Sequence, residues 1–391
     1  MNPQDYLDSS SGKATRTLQG YWAFLPSPLP PDLSWSPPLI KSLSEAERNL
    51  SRLAGMSGSL GNLYRLAMPF VRREAVLSSR IEGTQASLTD LYHFETAQLS
   101  FWEAAPDVRE VHNYVRALDF GLERLKTLPV SLRLIREIHK VLLEGVRGEH
   151  LTPGEFRLSQ NWIGPPGSTI STAPYVPPPV EQMHACLDHL EKFVHAASDL
   201  PGLIRAGLIH HQFEAIHPFL DGNGRIGRLL AVLLLCEWDL LPEPLLILSG
   251  YLEANREAYY DRLLAVSRTG AWEEWLSFFL EGVSSESRMS VARLQRLGEL
   301  WETYRERLRA GRAGERLSQA LEYLFGRPIL SVRQLEAGLG IPYRTAMRYI
   351  EKLVQAGILR EATGRKRGRI YQADEILYAI EGPVNAGEPA S

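Results

Sequence analysis

The residues best placed to do chemistry fall within one short run, His217-Pro-Phe-Leu-Asp-Gly-Asn-Gly-Arg-Ile-Gly-Arg228. Gly222 and Gly224 let the chain turn tightly and bare its N–H groups. At the start of a helix such N–H groups form a cup for phosphate oxygens. Asn223 can add a side-chain donor. Arg225 and Arg228, three apart, share a helix face and can reach one polyphosphate. Asp221 is a hard oxygen ligand suited to Mg²⁺ that is held partly by phosphates. His217 titrates near neutral pH and can take a proton from an incoming hydroxyl. Taken singly these residues are ordinary: a histidine before proline is mostly structural, and Asp-Gly-Asn-Gly is mostly a turn. Together they are the parts of a phosphoryl or nucleotidyl transfer site. A zinc site at His210, His211 and His217 is disfavoured, because no HExxH-type spacing is present.

Helical text surrounds this run. Helical patterns cover 66–82, 84–103, 107–126, 131–146, 180–197, 201–216, 223–238, 254–268 and 271–283. Ser44 and Glu47 fit a capping box that opens an earlier helix. Residues 24–40 are proline-rich and predict an extended arm. Residues 151–179, rich in Gly, Pro, Ser and Thr, predict a β-hairpin flap. The fold class is therefore mainly α, with that flap and a small C-terminal unit. The expected divisions are an N-terminal helical region over 1–105, a catalytic core over 106–284, a helical connector over 285–315 and a terminal unit over 316–391. Within the last, three helices, the last two joined by the Gly340–Pro342 turn, followed by a basic wing describe a winged helix-turn-helix. Arg344 and Arg348 share a face of its third helix, and Arg365, Lys366 and Arg367 lie in the wing, so DNA is one expected partner.

Bulk properties set bounds. The net charge is −3 over 391 residues, so any DNA contact must come from a local patch. The two cysteines, Cys186 and Cys236, rule out a disulfide framework and fit a reducing cytoplasm. The opening residues lack a signal-peptide pattern, and the longest apolar run, Leu229–Cys236, falls far short of a membrane span. A soluble, cytoplasmic protein with no membrane partner is expected.

The run 217–228 resembles the Fic signature HxFx[D/E]GNGRxxR at each specified position: His217, Phe219, Asp221, Gly222, Asn223, Gly224, Arg225 and Arg228. The resemblance implies an adenylyltransferase that moves AMP from ATP to a Ser, Thr or Tyr hydroxyl of a protein, itself included. It makes His217 the general base, Asp221 the Mg²⁺ ligand, and Arg225 and Arg228 the holders of the outer phosphates. Phe219 is then a core anchor. Ser78, Glu82 and Gly83 match the family's inhibitory pattern [S/T]xxxE[G/N], placed ahead of the core. A Glu82 carboxylate paired with Arg228 would occupy the γ-phosphate position. The bland alternative is a helix that simply stops at Gly83. The flap resembles the family's target-docking hairpin, with Asn161, Trp162 and Ile163 in position to pair with an extended substrate. The segment 254–266 resembles the helix that borders the nucleotide, with Tyr259 or Tyr260 stacking on adenine and Asn255 one turn earlier. Other readings stay open: a DNA-binding regulator whose Fic domain senses nucleotide, a different nucleotide donor, or removal of AMP with Glu82 positioning water. A homodimer is also expected, on a face that the sequence does not locate.

Overall fold

The computed structural model describes residues 1–59, 64–96, 104–310, 315–365 and 367–383, with side chains left undescribed at 57–59, 64–66, 310 and 315–316. The expected helix end at 103, residues 311–314 of the expected connector and the wing residue Lys366 thus lie outside the described residues.

Two helices that are apolar on every side form the centre. In α7 (Gly202–Ile216) every residue from Leu203 onward except the half-buried Arg205 is buried, and in α8 (Asn223–Glu237) burial is nearly continuous from Asn223 to Leu235. A helix that is apolar all round must sit inside other layers. Here α4 (Pro106–Leu125) and α5 (Leu132–Leu142) pack against α8, and α6 (Val180–His195) packs against α7. The loop 217–222 between α7 and α8 carries the motif, so the most deeply supported hairpin in the protein presents it.

The N-terminal region departs from expectation in two ways. Residues Gly12–Arg16 (β1) and Trp22–Pro26 (β2) form an antiparallel hairpin, where the sequence marked no element before residue 24 and an extended arm from there. The helix α1 (Pro37–Ser59) begins seven residues before Ser44, which sits exposed within it, so the Ser44–Glu47 capping box is not formed. Proline is well tolerated in a helix's first turn. Leu39, Leu43, Ala46, Leu50 and Leu53 then make one unbroken buried stripe. That stripe packs along α11 (Trp272–Ala310), a single long helix that crosses the expected boundary at 284/285.

The inhibitory pattern lies at the end of α2 (Tyr64–Ile81), which is followed by α3 (Leu88–Thr96). From Ala67 to Ile81, α2 is buried nearly all round, with α4, α8 and α9 (Leu248–Ala254) among its neighbours. The C-terminal unit also packs on α2, through α12 (Glu315–Gly326) and α15 (Asp374–Glu381). That unit contains β3 (Ile329–Ser331), α13 (Val332–Leu339), α14 (Tyr343–Gln355), β4 (Arg360–Glu361) and β5 (Ile370–Gln372), with the sheet order β3-β5-β4, all antiparallel. Ser331 and Gln334 form a reciprocal capping box on α13. Gly340 closes α13 in a left-handed conformation, φ 61°. Gln334 reaches back to donate to the Glu95 carbonyl at 2.9 Å, and Thr96 donates to the Ile329 carbonyl at 3.0 Å. No helix among the described residues is long and apolar enough to cross a membrane.

Candidate active site

His217 closes α7 in the left-handed region, with φ 48° and ψ 61°. For a residue with a side chain this costs about 1–2 kcal/mol, so the pose must be enforced by its surroundings. Its N–H donates to the Phe213 carbonyl at 3.0 Å. Its carbonyl accepts from Arg157 Nε at 3.0 Å and from Asn161 Nδ2 at 3.2 Å. Its Nδ1 lies 3.2 Å from the Glu214 carbonyl, an acceptor, so Nδ1 carries the proton and Nε2 keeps its lone pair. Burial lowers the His217 pKa to about 4, and the ring is a neutral base at pH 7.

The following loop is tied by its own side chains. Asn223 is buried, and its amide group accepts from Phe219 N and donates to Phe219 O, both at 2.9 Å. It shapes the loop; it does not offer the expected side-chain donor to a phosphate. Gly222, with φ 81°, caps α8. As at any helix N-terminus, the first-turn N–H groups have no partner within the helix. Gly224 allows close approach, since a Cβ there would lie 2.9 Å from Arg228 Nη1 and collide with Glu82. Phe219 is fully buried and stacks on His139, as a core anchor would.

The two arginines do different jobs, against expectation. Arg225 turns inward, almost wholly buried, and donates to Glu110 of α4 at 3.0 Å and to Asp221 Oδ1 at 3.3 Å. A guanidinium buried this deeply needs a carboxylate partner, and Glu110, which lies far away in the sequence, supplies it. Arg228 meets the segment around Ser78 and Glu82. Its Nε donates to Ser78 Oγ at 2.8 Å, and its Nη2 donates to the Ser78 carbonyl at 3.0 Å and to Glu82 Oε1 at 2.7 Å. Burial alone would raise the Glu82 pKa, but Arg228 more than offsets it and holds the carboxyl below its usual range. Two further buried carboxyls face the same arginine: burial pushes Glu214 up to about 8 and Glu74 up to about 7. Glu82 lies just past the last residue of α2, and Gly83, at φ 101°, turns the chain away.

Asp221 Oδ1 accepts from Gly222 N at 2.6 Å as well as from Arg225. Oδ2 faces Gly148, where a Cβ would come within 2.8 Å of it, and the side chain is 26% exposed. One open carboxylate oxygen suits Mg²⁺, a cation that takes most of its remaining ligands from phosphates and water. Among the described residues no cluster of three or more His, Cys, Asp or Glu side chains could hold a metal by itself.

The flap lacks regular strands; residues 151–179 contain one antiparallel bridge, Ile163 to Tyr175. Asn161 faces inward and donates to the carbonyls of His217 and Phe219, so it supports the motif loop, not a docked target. Trp162 is 43% exposed, with its indole N–H on the Ser168 carbonyl, and Ile163 is half-buried. Leu158, next to the wholly buried Arg157, stands in solvent. From below, Phe24 N of β2 donates to the Val176 carbonyl at 2.8 Å, and Tyr6 and Phe24 join Tyr175 and Val176 in a small apolar cluster.

On α10 (Arg256–Thr269), the helix expected to border a nucleotide, Tyr259 is buried with its hydroxyl 2.8 Å from His210 Nε2, so it is core and not an adenine platform. Tyr260 is exposed and near enough to Glu82 and Arg228 to feel both charges. Asn255 bonds the Tyr251 carbonyl at 2.9 Å. His210 and His211 are likewise core residues, on the Gly227 and Leu263 carbonyls. In the C-terminal unit, Arg344 and Arg348 of α14 and Arg365 and Arg367 of the β4–β5 connection are exposed.

Glu110, His139 and Arg157 were not marked as site residues by the sequence. Their types are common, and only the folded chain brings them to the motif.

Comparison with known proteins gives a consistent picture. The profile of the Fic/DOC family N-terminal domain matches residues 40–123, and that of the Fic/DOC family matches residues 129–235. The chain is 26% identical over 200 residues to "Protein adenylyltransferase Fic" of Drosophila willistoni, covering 47% of this chain and 37% of that one. It is 29% identical over 198 residues to the protein of the same name from Aedes aegypti, covering 47% and 34%. The chain thus spans about a third of the length of these curated relatives. Among solved structures, a Fic family protein from Desulfovibrio desulfuricans G20 aligns with a TM-score of 0.56 at 18% identity, over 88% of this chain and 98% of that one, which supports a shared fold.

Proposed function

We propose, from the membership of residues 40–123 and 129–235 in the Fic/DOC family, that this chain transfers AMP from ATP to a hydroxyl of a protein and that Glu82 restrains it. Family-level support for AMP transfer comes from the named adenylyltransferases it resembles. The observation that carries the restraint is the Glu82–Arg228 pair at 2.7 Å, set at the open N-terminal end of α8.

The chemistry follows from the residues. The first-turn N–H groups of α8 bind phosphate oxygens, and the positive end of the helix favours their charge. Arg228, once released by Glu82, pairs with the terminal phosphates and fixes the α-phosphorus in line with the acceptor. The acceptor oxygen bonds to that phosphorus as the bond to the bridging oxygen breaks. AMP ends on the target oxygen, pyrophosphate departs, and the hydroxyl proton moves to His217 Nε2. Mg²⁺, held by Asp221 and the phosphates, would neutralise charge on the triphosphate. Arg225 stays with Glu110 and holds Asp221 in place. Trp162 and Leu158 offer an exposed apolar edge for an extended target segment and Tyr260 a face for the base.

The test is incubation of Glu82→Gly protein with ATP labelled at the α- or the γ-phosphate. Label from the α position, lost on further change of His217 to Ala, supports the reading; label from the γ position or none refutes it. A second activity is favoured by α14, whose exposed Arg344 and Arg348 make no ion pair among the described residues. That helix, with Arg365 and Arg367 beside it, suits the major groove and flanking phosphates of duplex DNA in a winged-helix manner.

A further inference from the structure

We infer that His139 is a positioning residue that clamps the root of the flap to the phosphate-binding loop; its catalytic consequence rests on the transferase reading above. His139 projects from α5 and is buried. The backbone N–H of Gly154, at the flap's first turn, points at its Nδ1 from 2.8 Å. An N–H can only donate, so Nδ1 is the acceptor and the ring proton resides on Nε2. That Nε2 lies 3.0 Å from the carbonyl of Asp221 and donates to it. One neutral tautomer therefore joins two chain segments, and the opposite tautomer would break both bonds.

The ring is held flat between them. It stacks on Phe219 with centroids 3.7 Å apart and planes 5° from parallel. Gly154 is shaped for this contact: its φ is 85°, and a Cβ would meet Lys140 Cβ at 3.1 Å and the Arg136 carbonyl at 3.2 Å. Arg136 Nε also takes the Gly154 carbonyl at 2.8 Å, so α5 grips both polar groups of that peptide position. The flap root and the carbonyl of Asp221 thus share one side chain. A change in the flap's base is transmitted to the loop that presents Asp221 and Gly222, without passing through Glu82.

The three substitutions His139→Asn, His139→Gln and His139→Phe, each in the Glu82→Gly protein, separate the roles. Asn keeps an acceptor where Nδ1 stands, Gln keeps a donor where Nε2 stands, and Phe keeps only the stacked ring. Amide hydrogen exchange without nucleotide is the first readout, and α-phosphate label transfer is the second. Exchange is expected to rise about tenfold in segment 219–224 for Asn, in segment 152–157 for Gln and in both for Phe. Label transfer is expected to fall about tenfold to a hundredfold in the Phe variant, with the melting temperature of the Asn and Gln variants near that of the parent. Equal exchange changes in all three variants, or none in Phe, would overturn the clamp. If the parent transfers no label yet the exchange pattern appears, the clamp stands and the transferase reading is what fails.

Discussion

Replacing Glu82 by glycine isolates one contact whose strength can be worked out. Glu82 makes a single charge-assisted hydrogen bond to Arg228, 2.7 Å long, from a position 29% exposed. The two bonds from Arg228 to Ser78 survive the change, so the arginine is not orphaned. A hydrogen bond between charged groups contributes about 1.5–3 kcal/mol. Each 1.4 kcal/mol is a factor of about ten in population. Removing this bond should therefore raise the share of molecules with Arg228 open to a phosphate by about 10–150-fold, and the self-modification rate with it. Glutamine at 82 keeps a neutral bond and should fall between wild type and glycine. The assay is initial incorporation from α-labelled ATP, at one protein concentration and at subsaturating ATP. A glycine variant within twofold of wild type, while Arg228→Ala is inert, would show that Arg228 is needed but that Glu82 does not restrain it.

Other expectations can be checked with the same protein. With His217 held near a pKa of about 4, the neutral base persists through the neutral range, so the transfer rate of the Glu82→Gly protein should stay level there and drop only on approach to that value; a midpoint near the ordinary histidine range would refute the buried-base assignment. Glu110→Gln leaves the buried Arg225 without its main partner and should cost about 3 kcal/mol in a denaturant titration; an unchanged midpoint would mean Asp221 alone sustains Arg225. Changing Arg344 and Arg348 together to alanine should weaken duplex DNA binding about evenly across sequences and flatten its salt dependence, as measured by gel shift over a salt series; wild-type binding that is already salt-independent would rule the groove out.

The legibility of the chain in its sequence followed the range of the forces involved. The catalytic loop could be read because its constraints are local: a histidine at a helix end, glycines for the turn and first-turn amides lie within a few residues. The pairing of Arg228 with Glu82 was expected from resemblance and is present, whereas the two bonds from Arg228 to Ser78 were not anticipated. The inward turn of Arg225 could not be read, since its partner lies 115 residues earlier and glutamates on amphipathic helices usually face water. Tyr259 and Tyr260 are adjacent and chemically alike, and only packing sends one to His210 and leaves the other exposed. The β1–β2 hairpin escaped notice because its strands are short and one of its partners, Val176, belongs to the flap.

The helix that carries Ser78 and ends just before Glu82 has two masters. It packs against α8 and also against α12 and α15. Cutting the protein after α11 to obtain a minimal enzyme would strip that cover and wet a surface built to be dry. If Glu82 restrains the enzyme as proposed, the shortened protein would hold that restraint less firmly, and rates measured on it would overstate those of the intact chain. On the proposed reading, whatever grips or loosens the C-terminal unit acts on the Glu82 contact through that same helix.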